Sequence, residues 1–428
     1  MKKILFVSFF SPPIGSGGGE RVIKLLKYLK NFKKYLLTSD YPTYKYRDDL
    51  SRIPEDVEVV RVKFKDPRIF IPKVFYKILK RGKEENKDII EKYKVLKPSI
   101  LTKLRLYLFI PDDKVKWAKS SYKVAEKIIK ENDIDVVVTS GPPHSTHLVG
   151  LYLKRRKNIK WVMDLRDLWS LNPFVDYPKS SRRKNREIEE RCLKNSDLII
   201  VVTESFKKVL LNEFKFLNEN KIKVVYGGFD RKDFDVEPKN LPFFSITYAG
   251  SFYSLQTPVF FLKAFKDLIE EDEDFKKDAK IYVLSPFEEN VKKIVDDLNL
   301  GEYVFISGFL PHKEAIRYIL GSSLLFLFLG KGGEVTVPQK TFEYLGSGKR
   351  MIACVPDGEC KNILENCGVK DIVEPDDVNK IKEKLKEIYY EIKSGKEIKY
   401  NFDEINKYSM ENISDKFIES LKEGGILW

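Results

Sequence analysis

Short apolar runs, each ending at a small or polar residue and followed by a charged amphipathic stretch, recur along the whole chain. This alternation restricts the fold more than any other feature. "KILFVSFF" (3–10), "YLLTSD" (35–40), "DVVVTSG" (135–141), "KWVMDLRD" (160–167), "DLIIVVT" (197–203) and "KIKVVYGG" (221–228) are such runs. Between them lie helical patterns such as "ERVIKLLKYLK" (20–30), "WAKSSYKVAEKIIKEN" (117–132) and "SRRKNREIEERCLKN" (181–195). A strand that is apolar throughout is buried on both faces, which calls for a parallel sheet covered by helices on each side. The pattern predicts a doubly wound α/β fold. Residues 231–242, "RKDFDVEPKNLP", break the rhythm with charge and two prolines and read as a linker. A second series then begins with "FSITYAGS", "AKIYVLS", "YVFISGF", "LLFLFLG", "RMIACV" and "DIVE". A chain of 428 residues is long for one core. Two α/β domains are expected, over 1–235 and 236–405.

Composition narrows the classes. A hydrophobic content of 43% excludes disorder. The longest apolar run, "LLFLFL" at 324–329, is far short of the roughly 20 residues of a spanning helix. Cys192, Cys354, Cys360 and Cys367 form no CxxC pair and no secretory leader is read ahead of them, so a reducing, intracellular setting is expected. The formal net charge is +14, and residues 61–110 alone hold 15 Lys or Arg against 5 Asp or Glu, a net of roughly +10. With aromatic and aliphatic residues interleaved, that stretch suits either an anionic membrane surface or a solvated basic insertion. Nucleic acid is not expected, since no nucleic-acid motif accompanies the charge.

In doubly wound sheets ligands bind beyond the carboxyl ends of the strands. The first such turn, "SFFSPPIGSGGGERV" (8–22), carries Gly15, Gly17, Gly18 and Gly19, but the third glycine of a dinucleotide fingerprint would fall on Glu20. Asp40 ends the second strand where a ribose-binding acid would sit in a dinucleotide enzyme. A dinucleotide, a phosphate or sugar close to the backbone, and a merely flexible turn all remain open. In the second half, "GGEVTVPQKTFEYLGSGKRMIACVPDG" (332–358) places Pro338 at the first turn of a helix, whose free N–H groups attract anions. Lys340 and Glu343, three apart, share one helix face. A cation for a diphosphate and a carboxylate for vicinal ribose hydroxyls describe a nucleotide-sugar site; an ordinary surface Glu–Lys pair is the alternative. His144 and His147 are spaced for a metal half-site, for capping or for packing. Asp164, Arg166 and Asp167 of "DLRD" point either at a ligand or into a structural ion pair. The acidic groups "EEDED" (270–274) and "DD" (296–297) read as solvated faces.

"P-x-K-x-F-E-Y-L-x-S-G-K" at 338–349, the early glycine loop, "VVYGGFD" at 224–230 and the segment 140–169 together resemble the GT-B glycosyltransferases of family four. The resemblance covers nearly the whole chain and is weakest over 41–115. It implies two Rossmann-like domains facing a central cleft, with residues 406–428 forming a helix that returns to the first domain. It implies retaining transfer of a sugar from a nucleotide-sugar to a saccharide or lipid-linked acceptor, in cell-surface polysaccharide or glycan synthesis. No metal or other cofactor is then required, and the protein would be cytoplasmic or peripheral on the inner face of the membrane. By the same resemblance Glu343 binds the ribose, and Gly17, Gly18, Gly19, Gly250, Lys331, Pro338 and Lys340 surround the donor. His144 lies beside the transferred sugar, with Arg166 and Asp167 on the acceptor side; His144 and Lys340 are the catalytic candidates. A Gly18→Val exchange is expected to cripple turnover and spare the fold. Two departures stand out: the first glutamate of the family's pair is Val335 here, with Glu334 one residue away, and "AGSFYSLQTP" (249–258) lacks the phosphate-binding Arg and Lys of relatives. A nucleotide-sugar epimerase on the same fold and a non-catalytic, membrane-associated sugar-binding protein are the alternative readings.

Overall fold

The computed structural model describes residues 1–67, 88–96, 100–156, 159–285 and 288–427. Much of the basic stretch at 61–110 therefore lies outside the described residues. The chain divides into two compact units at Gly227–Gly228. Among the described residues the first unit holds 1–67, 100–227 and 410–427, and the second holds 88–96 and 228–409.

Among the described residues the first unit holds seven strands: β1 (Lys2–Ser8), β2 (Phe32–Asp40), β3 (Val57–Lys63), β4 (Val136–Gly141), β5 (Lys160–Leu165), β6 (Leu198–Val201) and β7 (Ile222–Val224). They pair in the order β3-β2-β1-β4-β5-β6-β7, every pair parallel, with Lys2 beside Phe32 and Ile4 beside Val136. The order reverses between β1 and β4, so the turns after these two strands border the crevice where such sheets bind ligands. β3 is a strand the apolar-run pattern did not anticipate. Its sequence "VEVVRVK" is half polar because it is an edge strand, paired only with β2. Arg61 on β3 donates to the Pro12 carbonyl at 2.5 Å, so part of the basic excess is spent inside the fold. The helix Met410–Glu423 belongs to this first unit, where Phe417 is fully buried and stacks on Phe6 at 6.1 Å.

The second unit carries β8 (Ser245–Ala249), β9 (Lys280–Leu284), β10 (Val304–Ile306), β11 (Leu324–Phe328), β12 (Met351–Cys354) and β13 (Ile372–Val373), again all parallel, in the order β10-β9-β8-β11-β12-β13. Its switch lies between β8 and β11. The stretch 231–242 is not a free linker: Lys239 N–H donates to the Arg317 carbonyl and Arg317 Nε donates to the Glu237 carbonyl, which tie it to the second unit. Residues 88–96 also join this unit, since Lys92 and Tyr93 both donate to Asp297 at 2.8 Å and Leu96 N–H donates to the Ser254 carbonyl. That pairing accounts for one of the two acidic groups. In the other, Asp272 caps a helix through Phe275 N–H and Glu271 pairs with Lys382. All four cysteines are buried free thiols.

Candidate functional site

In the second unit the site forms where β8 and β11 end. Pro338 precedes the helix Gln339–Ser347, and no side chain caps that helix start. Gln339 Nε2 donates to the Gly228 carbonyl at 2.7 Å and fixes the start of the helix in place. Lys340, Glu343 and Tyr344 stand three and four residues apart and so share a face. Tyr344 Oη accepts the N–H of Ala249 at 2.8 Å, which clamps this face to the end of β8. The Lys340 ammonium then lies 3.6 Å from the centre of the Tyr248 ring, itself stacked on Phe252 at 4.0 Å. Gly250 has φ +139°, a backbone conformation that favours glycine, and a Cβ there would stand 2.4 Å from Lys340 Nζ and displace the ammonium. Burial pushes the Lys340 pKa down to about 7, with Glu343 acting the other way. An aromatic face attracts a cation but supplies no hydrogen-bond acceptor of carboxylate strength. The geometry therefore suits an anionic ligand on the far side of the ammonium.

Glu343 Oε1 is 3.3 Å from His312 Nε2, and Asp233 Oδ2 is 3.8 Å from the same nitrogen. Lys331, expected at the diphosphate, pairs instead with Asp376 at 2.7 Å and is 62% exposed. Glu334 is exposed and folds onto its own loop, accepting the N–H of Gly332 at 2.8 Å, while its backbone carbonyl accepts the N–H of Glu359.

In the first unit, Ser16 Oγ accepts the N–H of Gly18 and starts a single helical turn, Gly17–Gly19, which leads into the helix Glu20–Tyr28. The glycines serve different ends. A Cβ on Gly18 would meet the Phe10 ring at 2.7 Å and one on Gly19 would meet the Phe10 carbonyl at 3.0 Å, so both are needed by the protein itself. Of the three glycines of this turn, Gly17 alone would have a Cβ that meets nothing within 4 Å. The expectation that Gly18→Val spares the fold is thus corrected. Glu20, where a third fingerprint glycine would stand, pairs with Arg52 at 2.5 Å. One residue on, Arg21 is buried and donates to Asp164 and to the carbonyls of Val225 and Tyr226, while Ser140 Oγ donates to Asp164 at 2.6 Å. Asp164 is therefore the structural member of "DLRD".

Arg166 differs. It donates to the Pro142 carbonyl, yet its Nε is buried with no hydrogen-bond partner among the described residues. Burial raises the pKa of its neighbour Asp167, which Arg166 opposes. His144 lies flat on Trp169, with ring centres 4.8 Å apart and planes 4° apart. Burial, helped by Arg166, holds its pKa down to about 3, so the imidazole is neutral. His147 is fully buried and engages Thr139 through Nδ1 at 3.0 Å, which makes it a packing residue. Trp169, Asn185 and Glu189 were not foreseen. Asn185 and Glu189, one turn apart on the helix Lys179–Asn195, hold the loop: Trp169 Nε1 donates to Asn185 Oδ1 at 2.8 Å and Ser170 N–H donates to Glu189 Oε2 at 3.0 Å. Their i, i+4 spacing behind "DLRDLW" was the available signal. Burial raises the Glu189 pKa to about 7 against its Ser170 hydrogen bonds.

Residues 80–233 match the family described as Glycosyltransferase Family 4. No curated protein matches the chain. Among solved structures, a sucrose-phosphate synthase from Thermosynechococcus elongatus is similar at 14% identity, covering 99% of this chain and 98% of that one, with a TM-score of 0.68. HepE from Anabaena, solved with UDP-glucose, is similar at 14% identity over 99% of this chain and 100% of that one, with a TM-score of 0.61. A UDP-GlcNAc 2-epimerase from Methanocaldococcus jannaschii gives 14% identity, 99% coverage of both chains and a TM-score of 0.52. At these identities the likeness is one of fold, and that fold is GT-B. The resemblance to family-four glycosyltransferases is thus met by the family match and by the fold.

Two outcomes follow from this geometry. Gly17→Ala should keep the melting temperature of the parent, whereas Gly18→Val should lower it by several degrees, because the Phe10 ring must move; scanning calorimetry on both variants checks this, and an unchanged Gly18→Val would contradict it. Glu189 ionises at about 7 when folded and near 4.5 when unfolded, so its cost to stability grows as pH rises from 4.5 to 7 and then levels. Glu189→Gln should therefore raise the melting temperature more at pH 8 than at pH 5.

Proposed function

We propose that the protein is a retaining glycosyltransferase, moving a sugar from a nucleotide-sugar donor to a saccharide or lipid-linked acceptor. The observation that carries the reading is Lys340, an enclosed ammonium resting on Tyr248 beside Gly250 at a helix start, with Glu343 one turn further on. Breaking the bond between the anomeric carbon and the diphosphate builds negative charge on the leaving phosphate, and a preorganised cation with free helix N–H groups stabilises that charge. In this reading the task falls to Lys340 and the helix start after Pro338, and no metal ion is required. An incoming diphosphate raises the Lys340 pKa from about 7, so binding is accompanied by proton uptake at slightly alkaline pH. Glu343 accepts two hydrogen bonds from the ribose hydroxyls.

The acceptor hydroxyl attacks from the face the diphosphate leaves. Its oxygen bonds to the anomeric carbon, the carbon–oxygen bond to phosphate breaks, and the acceptor proton passes to the departing diphosphate. No protein nucleophile enters. The neutral His144 ring contacts the transferred sugar, Arg166 and Asp167 face the acceptor, and Gly17 leaves room for close approach of the backbone. HepE, of like fold, was solved with UDP-glucose, which makes uridine the first base to test. A setting in cell-surface glycan synthesis at the cytoplasmic side of a membrane fits an anionic, lipid-linked acceptor. No helix among the described residues is long and apolar enough to cross a membrane. On the helix Ile100–Leu108, however, Leu104, Tyr107 and Leu108 are 44%, 57% and 59% exposed beside Lys103 and Arg105.

Two experiments test the reading. Thermal shift against UDP, GDP, ADP, CMP and dTDP should show selective stabilisation by one diphosphate that disappears in Glu343→Ala and Lys340→Ala. A response to NAD alone, silence throughout, or conversion of the nucleotide-sugar into its epimer would overturn it. On vesicles containing phosphatidylglycerol the chain should co-sediment, and a Leu104→Glu, Leu108→Glu variant should bind about tenfold less; equal binding would remove the membrane assignment.

A further inference from the structure

Glu343 can grip a ribose diol only if the plane of its carboxylate is fixed, and the second unit contains a device that fixes it. His312 is the first residue of the helix His312–Gly321, which follows Pro311. Its Nε2 lies 3.3 Å from Glu343 Oε1 and 3.8 Å from Asp233 Oδ2. Asp233 comes from the turn Arg231–Phe234, held by its own N–H on the Asp230 carbonyl. Three separate elements thus converge on one imidazole nitrogen. The side chains of His312, Asp233 and Glu343 are 14%, 18% and 14% exposed, enclosed enough to be ordered and open enough to be reached. With carboxylates on the Nε2 side the ring proton resides there, and a charge-assisted hydrogen bond holds one oxygen of Glu343 in a defined position.

We propose that His312, steadied by Asp233, is a positioning residue that orients the Glu343 carboxylate for the ribose hydroxyls of the donor. The proposal rests on the assignment of Glu343 as the ribose-binding acid. It gives the chain's "GFDRKDFD" (228–235) and "PHKE" (311–314) segments a shared task in donor recognition. It also separates ribose recognition from diphosphate recognition: His312 acts on the first, and Lys340 on the second.

Calorimetric titration of the full chain with UDP, 2′,3′-dideoxy-UDP and inorganic pyrophosphate tests it. Loss of a charge-assisted hydrogen bond in His312→Ala should weaken UDP about tenfold. Dideoxy-UDP and pyrophosphate should bind His312→Ala as they bind the parent. His312→Gln, which keeps a donor near the Nε2 position, should recover most of the loss, and Asp233→Asn should weaken UDP to a smaller extent. In a His312→Ala, Glu343→Ala double variant UDP should bind no worse than in Glu343→Ala alone. Equal loss of UDP and pyrophosphate in His312→Ala would show a general structural defect and overturn the proposal. So would parental UDP affinity in His312→Ala when Glu343→Ala is weakened. Parental affinity in Glu343→Ala itself would remove the ribose assignment, and the proposal with it.

Discussion

A cation withdrawn from water wholly or in part must be matched, and the chain treats two such cations, buried Arg21 and half-buried Lys340, in opposite ways. Arg21 is matched completely: a carboxylate and two backbone carbonyls surround its guanidinium, so it locks the helix after the glycine turn to β5 and to the end of the first unit's sheet. Lys340 is held against an aromatic ring, and burial lowers its pKa to about 7. Such a group is costly in the resting protein and gains most when an anion arrives. The first arrangement builds structure, whereas the second is the one the proposed donor site draws on.

Topology decides where both kinds of cation stand. Strands covered on both faces have no room for charge along their length, so polar groups gather where strands end. After β1 and β4 come the glycine turn and His144; after β8 and β11 come Gly250 and the helix with Lys340 and Glu343. The helix Lys179–Asn195 supports the first group from behind through Asn185 and Glu189. The turn Arg231–Phe234 and His312 support the second.

Much of this was legible in the sequence. The apolar runs marked twelve of the thirteen strands among the described residues, the short edge strands β7, β10 and β13 included, because each is built mainly on Val, Ile or Phe. β3 escaped because its "VEVVRVK" interrupts the valines with Glu and Arg, and its Lys and Arg read as part of a basic patch. Lys340 and Glu343 were visible as a helix-face pair beside glycines. Other features depend on distant partners that no local pattern announces. Gly18 looked like an opening for a ligand and proves to make room for Phe10, eight residues earlier. Lys331, expected at the phosphates, forms an exposed ion pair with Asp376, 45 residues later. His312 is a lone histidine in sequence, and only the fold brings it to Glu343.

The central claim, that Lys340 is a cation reserved for a donor diphosphate, is tested most directly by titrating its ammonium. NMR of the isotopically labelled lysine side chain, assigned with Lys340→Arg, reports the pKa with and without saturating UDP. The account predicts a value near 7 in the free protein. With UDP bound it predicts a rise of at least about one unit, as a diphosphate beside the ammonium favours the charged form. An ordinary lysine pKa in the free protein, or a depressed value that UDP leaves unchanged while it binds, would contradict it.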